Sequence, residues 1–586
     1  MNDKKWDLTP IYESFDSESF KKDIEKLTRL ISSLQVWAEN ELKNTENSAE
    51  KIKFFINQRN IIDDLSQKLS VYAQLSLNEN SENETALKYA EKTEKIISDT
   101  SIPYTAFEKW FSGLENKEEI YKDAELSKYR FFLEEINKKS RYLLSEKEEE
   151  IISKMKATGS SSWEKLWEKL ITSLMPEVGT DKKRYSFSDV RNMAYSPSQQ
   201  LRKAAYEAEI KCLDTIKIPS AAALNGIKGE VLNICNIRGY SSPLEMTLID
   251  SRLDKEIFDN LITSVKNLVP CFKKYFERKA KLLGCKKLKF YDLFAPLGKN
   301  NKTYSYDDAQ KIIIEVFSSF SPKMGNFAKN AFDNNWIDVY PRQYKTGGAF
   351  CECIHSIKQS RILTNFTGSF SDVVTIAHEL GHSFHDSLLY NSPAINSDYP
   401  MPVAETASTF AECLIKNAVM KNSEKEEALS ILENDISDSA QVICDIYSRF
   451  MFEKKVFEKR TDGPLSPDEF SKIMLEAQKE AYCGSLDEEF LHKYMWIVKP
   501  HYYDADYNYY NFPYAFGLIF AKELYSIYEK KGAEFAKDYE KIFKATGSNS
   551  IKDVAMIAGI DMTKKDWSSA EEIIKKDIDK FLEMTK

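Results

Sequence analysis

From Ser17 to about Glu125, apolar residues recur every three or four positions: Phe20, Ile24, Leu27, Leu30, Ile31 and Leu34, then Ile52, Phe55, Ile56, Ile61, Ile62 and Leu65. This is the period of amphipathic helices, and the polar run from Asn78 to Asn83 breaks it as a turn does, so the stretch predicts an antiparallel helical lobe. A second helical region follows to about Gly179, with Phe132, Leu133, Ile136, Leu143 and Leu144 on its inner faces. Gly179 to Arg184 reads as a linker, and helices over Arg202 to Cys212 and Asp254 to Leu283 belong to the larger portion beyond it. The pattern divides the chain into an N-terminal lobe over 1–110, a second helical region over 111–184 and a main domain over 185–586. It changes character at Tyr340 to Gly348, where the adjacent Gly347 and Gly348 imply a turn or a close backbone approach. Ala349 to Ile354 and Arg361 to Phe366 have strand character and predict a small sheet.

Beyond the predicted sheet, Val373, Ile376, Ala377, Leu380 and Phe384 return to helical spacing, with Ser371 and Asp372 as an expected cap. The opposite face of this helix carries His378 and His382 at i and i+4, one turn apart, as two ligands to one metal ion must be. Glu379 sits on the flank of that face, placed to reach a water without binding the metal. The arrangement is His-Glu-x-x-His, and with His385 it holds three of the six histidines within eight residues. A surface helix can carry this pentapeptide by chance, so a third ligand matters. No histidine stands at the place that a continuation HExxHxxGxxH requires. After turn signals at Asn391 to Pro393 and Ser397 to Pro402, a second helix is expected from about Val403. Its polar stripe is Glu405, Ser408, Thr409, Glu412 and Lys416, and its apolar stripe is Ala407, Phe410, Ala411, Leu414 and Ala418. Glu405 in its first turn is the expected third ligand, with Glu412 two turns on as the alternative. Gly381 costs about 1 kcal/mol inside a helix, tolerable where something approaches the backbone.

Composition narrows the class. The chain has 586 residues, 42% hydrophobic and 12% aromatic, ample for a core. A net charge of −9 with a pI near 5.6, and no strong basic cluster, argue against a nucleic-acid partner. The start lacks an apolar signal segment and no apolar run is long enough to span a bilayer, so a soluble cytoplasmic protein is expected. Nine cysteines lie between Cys212 and Cys483 without a CxxC pair, the usage of a reducing compartment. Cys351 and Cys353 share one strand face, where ordinary packing is the default and a thiolate metal site the alternative.

His378-Glu-Leu-Gly-His-Ser-Phe-His385 followed by Pro402-Val-Ala-Glu-Thr-Ala-Ser408 resembles the M3 family of zinc metallopeptidases, closest to its oligoendopeptidase F branch. Trp6-Asp-Leu8, Tyr291-Asp-Leu-Phe-Ala-Pro-Leu297, Asn365-Phe-Thr-Gly368 and Tyr510-Asn-Phe-Pro-Tyr-Ala-Phe-Gly517 resemble stretches of the same branch, so the likeness runs along nearly the whole chain. It implies a mainly α, large helical zincin fold of the gluzincin type, with a small β-sheet beside the HExxH helix and lobes enclosing a deep substrate groove. It further implies one zinc ion per chain on His378, His382 and Glu405, with Glu379 as general base. His501, Tyr510 and Tyr514 would steady the tetrahedral intermediate, Tyr507 is a fourth candidate, and which tyrosine donates stays open. Gly347, Gly348 and His385 are expected among the residues that meet substrate. The activity implied is internal cleavage of short unstructured peptides, by a chain for which a monomer is favoured. Trimming of terminal residues by the same zinc chemistry is the first rival. A non-catalytic peptide binder is the second, but it would be expected to have lost Glu379 or a ligand, and all four residues are present.

Overall fold

The computed structural model describes residues 4–180, 182–297, 302–564 and 567–586. It is helical almost throughout and falls into two compact units, each assembled from three separate stretches. The first comprises Met1–Leu143, Lys302–Ala418 and Ile527–Asp561; the second comprises Leu144–Asn301, Val419–Ser526 and Met562–Lys586.

In the first unit, the helix Glu18–Glu41 starts at Ser17, whose hydroxyl accepts from the Phe20 N–H. It buries Phe20, Ile24, Leu27, Ile31 and Leu34, the residues its apolar period selects. The helix Ser48–Glu79 buries Ile52, Phe55, Ile56, Ile62 and Leu65, whereas Ile61 is 41% exposed. Adjacent helical residues point about 100° apart, and Ile61 falls just outside the buried stripe to which Ile62 belongs. The expected turn separates this helix from Glu84–Ser98.

Five short strands form two sheets among the described residues. β1 (Glu177–Val178) and β2 (Lys183–Arg184) pair antiparallel in the second unit, so the expected linker is a hairpin. Its turn includes Gly179 and Lys182 at positive φ, conformations that glycine adopts freely and lysine seldom does. β3 (Ile337–Asp338), β4 (Phe350–Ile354) and β5 (Gln359–Leu363) make the sheet of the first unit in the order β3-β5-β4. β4 pairs antiparallel to β5 from Phe350 opposite Leu363 to Ile354 opposite Gln359, which leaves β4 at the sheet edge. The start of the chain ties into the same region. The Val339 N–H donates to Lys4 O, the Asp7 N–H to Asn335 O and Arg361 Nε to Asp7 O. Trp6, Ile354 and Leu363 consequently share one core with the N-terminal helices.

The second unit is organised on the helices Gln199–Arg238 and Lys255–Leu282. The first is 40 residues long and continues through Pro219, well beyond the segment that periodicity marks out. The buried pair Arg202–Asp292, at 2.8 Å, ties it to the stretch that resembles the peptidase branch around Tyr291. No helix among the described residues is long and apolar enough to cross a membrane.

Candidate metal centre and active site

The HExxH helix runs Phe370–Leu389. Its cap is Ser369, not Ser371: Ser369 Oγ accepts from the Asp372 N–H, and the Asp372 carboxylate accepts in return from the Ser369 N–H. Asp372 also takes the N–H groups of Thr367 and Gly368, so one carboxylate gathers three otherwise idle donors ahead of the helix. Val373, Ile376, Ala377, Leu380 and Phe384 are all buried, as expected. The following helix, Met401–Asn422, packs directly on Gly381. A Cβ there would stand 2.9 Å from Ala411 Cβ and Ser408 Cα and 3.0 Å from Ala407 O. The missing side chain is what allows the second helix close enough to present carboxylates to the histidines.

His378 and His382 turn their Nε2 atoms toward each other at 3.2 Å, and Glu405 Oε2 lies 3.8 Å from His378 Nε2. One ligand atom from each of the three lies within 4.8 Å of the others. Glu412 Oε1 stands 2.6 Å from His378 Nδ1, and Lys416 Nζ donates to Glu412 Oε2 at 2.8 Å. With Nδ1 donating to a carboxylate, the neutral form of His378 carries its lone pair on Nε2, facing His382 and Glu405. Two imidazole nitrogens and one carboxylate oxygen are the donor set of a catalytic zinc with one position left for water. Ligands about 2.0–2.1 Å from a tetrahedral ion stand about 3.4 Å apart, a value the 3.2 and 3.8 Å separations bracket. The residues present therefore fit zinc.

The electrostatics are those of crowded, buried acids. Burial pushes the Glu379 carboxyl up to about 7, with His378 pulling against it and Glu405 and Glu412 adding to it. Glu405 is raised from its ordinary value for the same reason. At Glu412 burial is outweighed by Lys416 and His378, which hold it at about 2. Burial opposes charge on His378, yet Glu412 raises that ring to about 9, while burial and the neighbouring His378 push His382 well below the imidazole range. A carboxyl at about 7 on the flank of the two histidines can take and return a proton near neutral pH.

The other expected site residues are distributed more widely. His385 belongs to the core instead of a substrate surface. It is fully buried, stacks on Tyr399 at 3.9 Å and donates from Nε2 to Thr546 Oγ1, whose own proton goes to Phe543 O. Gly347 and Gly348 are exposed in the loop before β4, and Gly348 has φ +79°. Cys351 and Cys353 are free thiols, raised well above the ordinary value by burial; neither enters the one metal-capable cluster among the described residues. His501, Tyr510, Tyr514 and Tyr507 lie in the second unit. There the His501 ring stacks on Tyr510 at 5.9 Å, and Tyr510 lies 6.1 Å from Tyr514 and 6.0 Å from Tyr507. His501 Nε2 is buried with no hydrogen-bond partner among the described residues, and burial with nearby Arg449 and Lys499 drives the ring down to about 3, neutral at any working pH. Of the six tyrosines between Lys499 and Gly517, Tyr502, Tyr503 and Tyr509 are buried in the core.

Two contributions escape sequence reasoning. Glu412, the alternative third ligand, stands instead behind His378 on its Nδ1, outside the His378, His382 and Glu405 cluster, and Lys416 is buried beside it. Asp386, one turn beyond His382, is held at about 7 by burial and accepts from Tyr399 Oη at 2.5 Å. Its spacing from His382 was the available signal.

Comparison with known proteins gives a consistent result. The family model described as Peptidase family M3 matches residues 192–571, and one described as Oligopeptidase F matches residues 112–175. An oligoendopeptidase F homolog of Lactococcus lactis is 27% identical over 96% of this chain and 94% of its own length. Among solved structures, a Chlamydophila abortus protein described as a candidate peptidase superposes with a TM-score of 0.84 at 24% identity, covering 99% of this chain and 98% of that one. Oligoendopeptidase-F from Enterococcus faecium follows with a TM-score of 0.71 at 19% identity, covering 97% and 99%. At these identities the structures establish the shared fold.

Proposed function

The chain belongs to peptidase family M3, and from that premise we propose that it is a zinc-dependent endopeptidase hydrolysing internal bonds of short, unstructured peptides. The observation that carries the reading is the convergence of His378 Nε2, His382 Nε2 and a Glu405 oxygen within 4.8 Å, with Glu379 on the same helix. Zinc bound there would lower the pKa of a water to about 7 and polarise the scissile carbonyl. Glu379 accepts the proton of the attacking water and delivers it to the leaving amine, as general base and then general acid. Burial raises this carboxyl toward neutral pH in the metal-free site, which favours proton uptake. The family resemblance supports His501, Tyr510 and Tyr514 as donors to the developing oxyanion, where losing one donor typically costs about 3–4 kcal/mol. His501 must act there as a neutral N–H donor, since its environment keeps it uncharged. Nine free cysteines support action in a reducing compartment such as the cytoplasm.

The test is hydrolysis of an internally quenched peptide, with mass spectrometry of the products and measurement of bound zinc. Wild type is expected to cleave internally and hold one zinc. Glu405→Ala should lose the metal. Release of single terminal residues in place of internal fragments would favour the trimming enzyme, and a wild type without metal would overturn the zinc reading.

A further inference from the structure

Lys416 stands one helical turn beyond Glu412 with its side chain only 8% exposed. A lysine so enclosed is costly unless it is paired and hydrogen-bonded. Its Nζ donates to Glu412 Oε2 at 2.8 Å, and the other oxygen of the same carboxylate takes His378 Nδ1 at 2.6 Å. The three groups form a continuous series in which each carboxylate oxygen has a single assigned partner, and the far end of the series is the Nε2 lone pair facing His382 and Glu405. A carboxylate free to rotate about its terminal bond would let the imidazole ring swing; one clamped on both oxygens does not.

We propose that Lys416 is a positioning residue of the metal centre, fixing Glu412 so that Glu412 in turn fixes the tautomer and ring orientation of His378. The inference rests on the zinc reading above. It concerns the route through Glu412, whose Oε2 Lys416 holds while His378 holds Oε1. Partners that orient a ligating histidine typically contribute 10–100-fold to metal affinity. Lys416 should accordingly contribute about 10-fold and Glu412 the upper part of that range.

The experiment is zinc affinity of the full chain by competition with a chromophoric chelator, which does not depend on catalysis, together with melting of the metal-free proteins. Lys416→Met, which keeps the stem and removes the charge, should weaken zinc binding about 10-fold. Lys416→Arg should stay within about threefold of wild type, because it can still donate to Glu412. In a Glu412→Gln background, Lys416→Met should cost nothing further, because the group through which it acts is already altered. Should Lys416→Met compromise the metal-free fold, the near-isosteric Glu412→Gln decides instead, since wild-type zinc affinity in that variant breaks the series at its middle member and overturns the inference. Wild-type affinity in a folded Lys416→Met, or an undiminished effect of Lys416→Met in the Glu412→Gln background, overturns the inference. Wild type that binds no zinc overturns the zinc reading itself, a separate result.

Discussion

Asp386 and Glu412 are both half-buried acids on the two helices of the metal centre, yet they stand at opposite ends of the scale, at about 7 and about 2. The difference is the company each keeps. Glu412 has a lysine and a histidine, whereas Asp386 has a tyrosine hydroxyl and the unfavourable nearness of Glu352. Because the folded pKa of Asp386 lies above its unfolded value of about 3.9, the folded state holds a proton that the unfolded state releases between roughly pH 4 and 7. Its contribution to stability is present below that window and lost as pH rises through it. Asp386→Asn, neutral at every pH, should lose less melting temperature than wild type between pH 5 and pH 8, by about 1–3 °C; parallel melting curves would remove Asp386 as the source. Glu379→Gln should lower kcat on the order of 10³-fold while bound zinc stays at the wild-type level. Full activity in that variant would mean that another group moves the proton. The position of Glu379 follows from spacing alone, but its raised pKa could not be read from the sequence, because it comes first from burial in the folded chain and then from His378 and two acids of the next helix.

Between elements, Gly381 decides the geometry of the metal centre. In an isolated helix Gly381→Ala would be favourable by about 1 kcal/mol. Here the added Cβ meets Ala411 Cβ and Ser408 Cα at 2.9 Å, and overpacking of this kind costs about 1–3 kcal/mol. Denaturant melts should show a net loss, and zinc affinity should fall with it, since Glu405 and Glu412 lie on either side of the contact; a stabilised variant would show that the helices separate freely. The apolar stripe of the second helix already held Ala407 and Ala411, and the glycine signalled a close approach, but neither pattern could say that these residues meet each other. Other element-scale differences have local causes. The cap moved from Ser371 to Ser369 because only Ser369 stands three residues before Asp372, the reach of a reciprocal cap. The expected linker closed into a hairpin because Gly179 and Lys182 take positive φ, which hydropathy does not register.

At the scale of the molecule, the first unit joins the N-terminal helices to the sheet and the metal centre although 158 residues of the second unit intervene between Leu143 and Lys302. Trp6, Phe20 and Phe55 share a core with Ile354, Leu363 and Ile395. A chain lacking residues 1–143 would expose that apolar surface and leave Arg361 without the Asp7 carbonyl. Such a truncation should aggregate or bind no zinc, as gel filtration and metal analysis would show; a monodisperse, zinc-loaded 144–586 would contradict the shared core. The sequence by itself determined the helical class, the inner faces of the first helices and the triplet His378, Glu379 and His382, because positions along one helix are fixed by its pitch of 3.6 residues. Only the tertiary structure decided that Glu405 stands on the Nε2 side of His378 and Glu412 on the Nδ1 side, that His385 is core, and that Lys416 is buried. Those distances run between helices, and they are set by side-chain packing at the Gly381 contact, which no periodicity within either segment encodes.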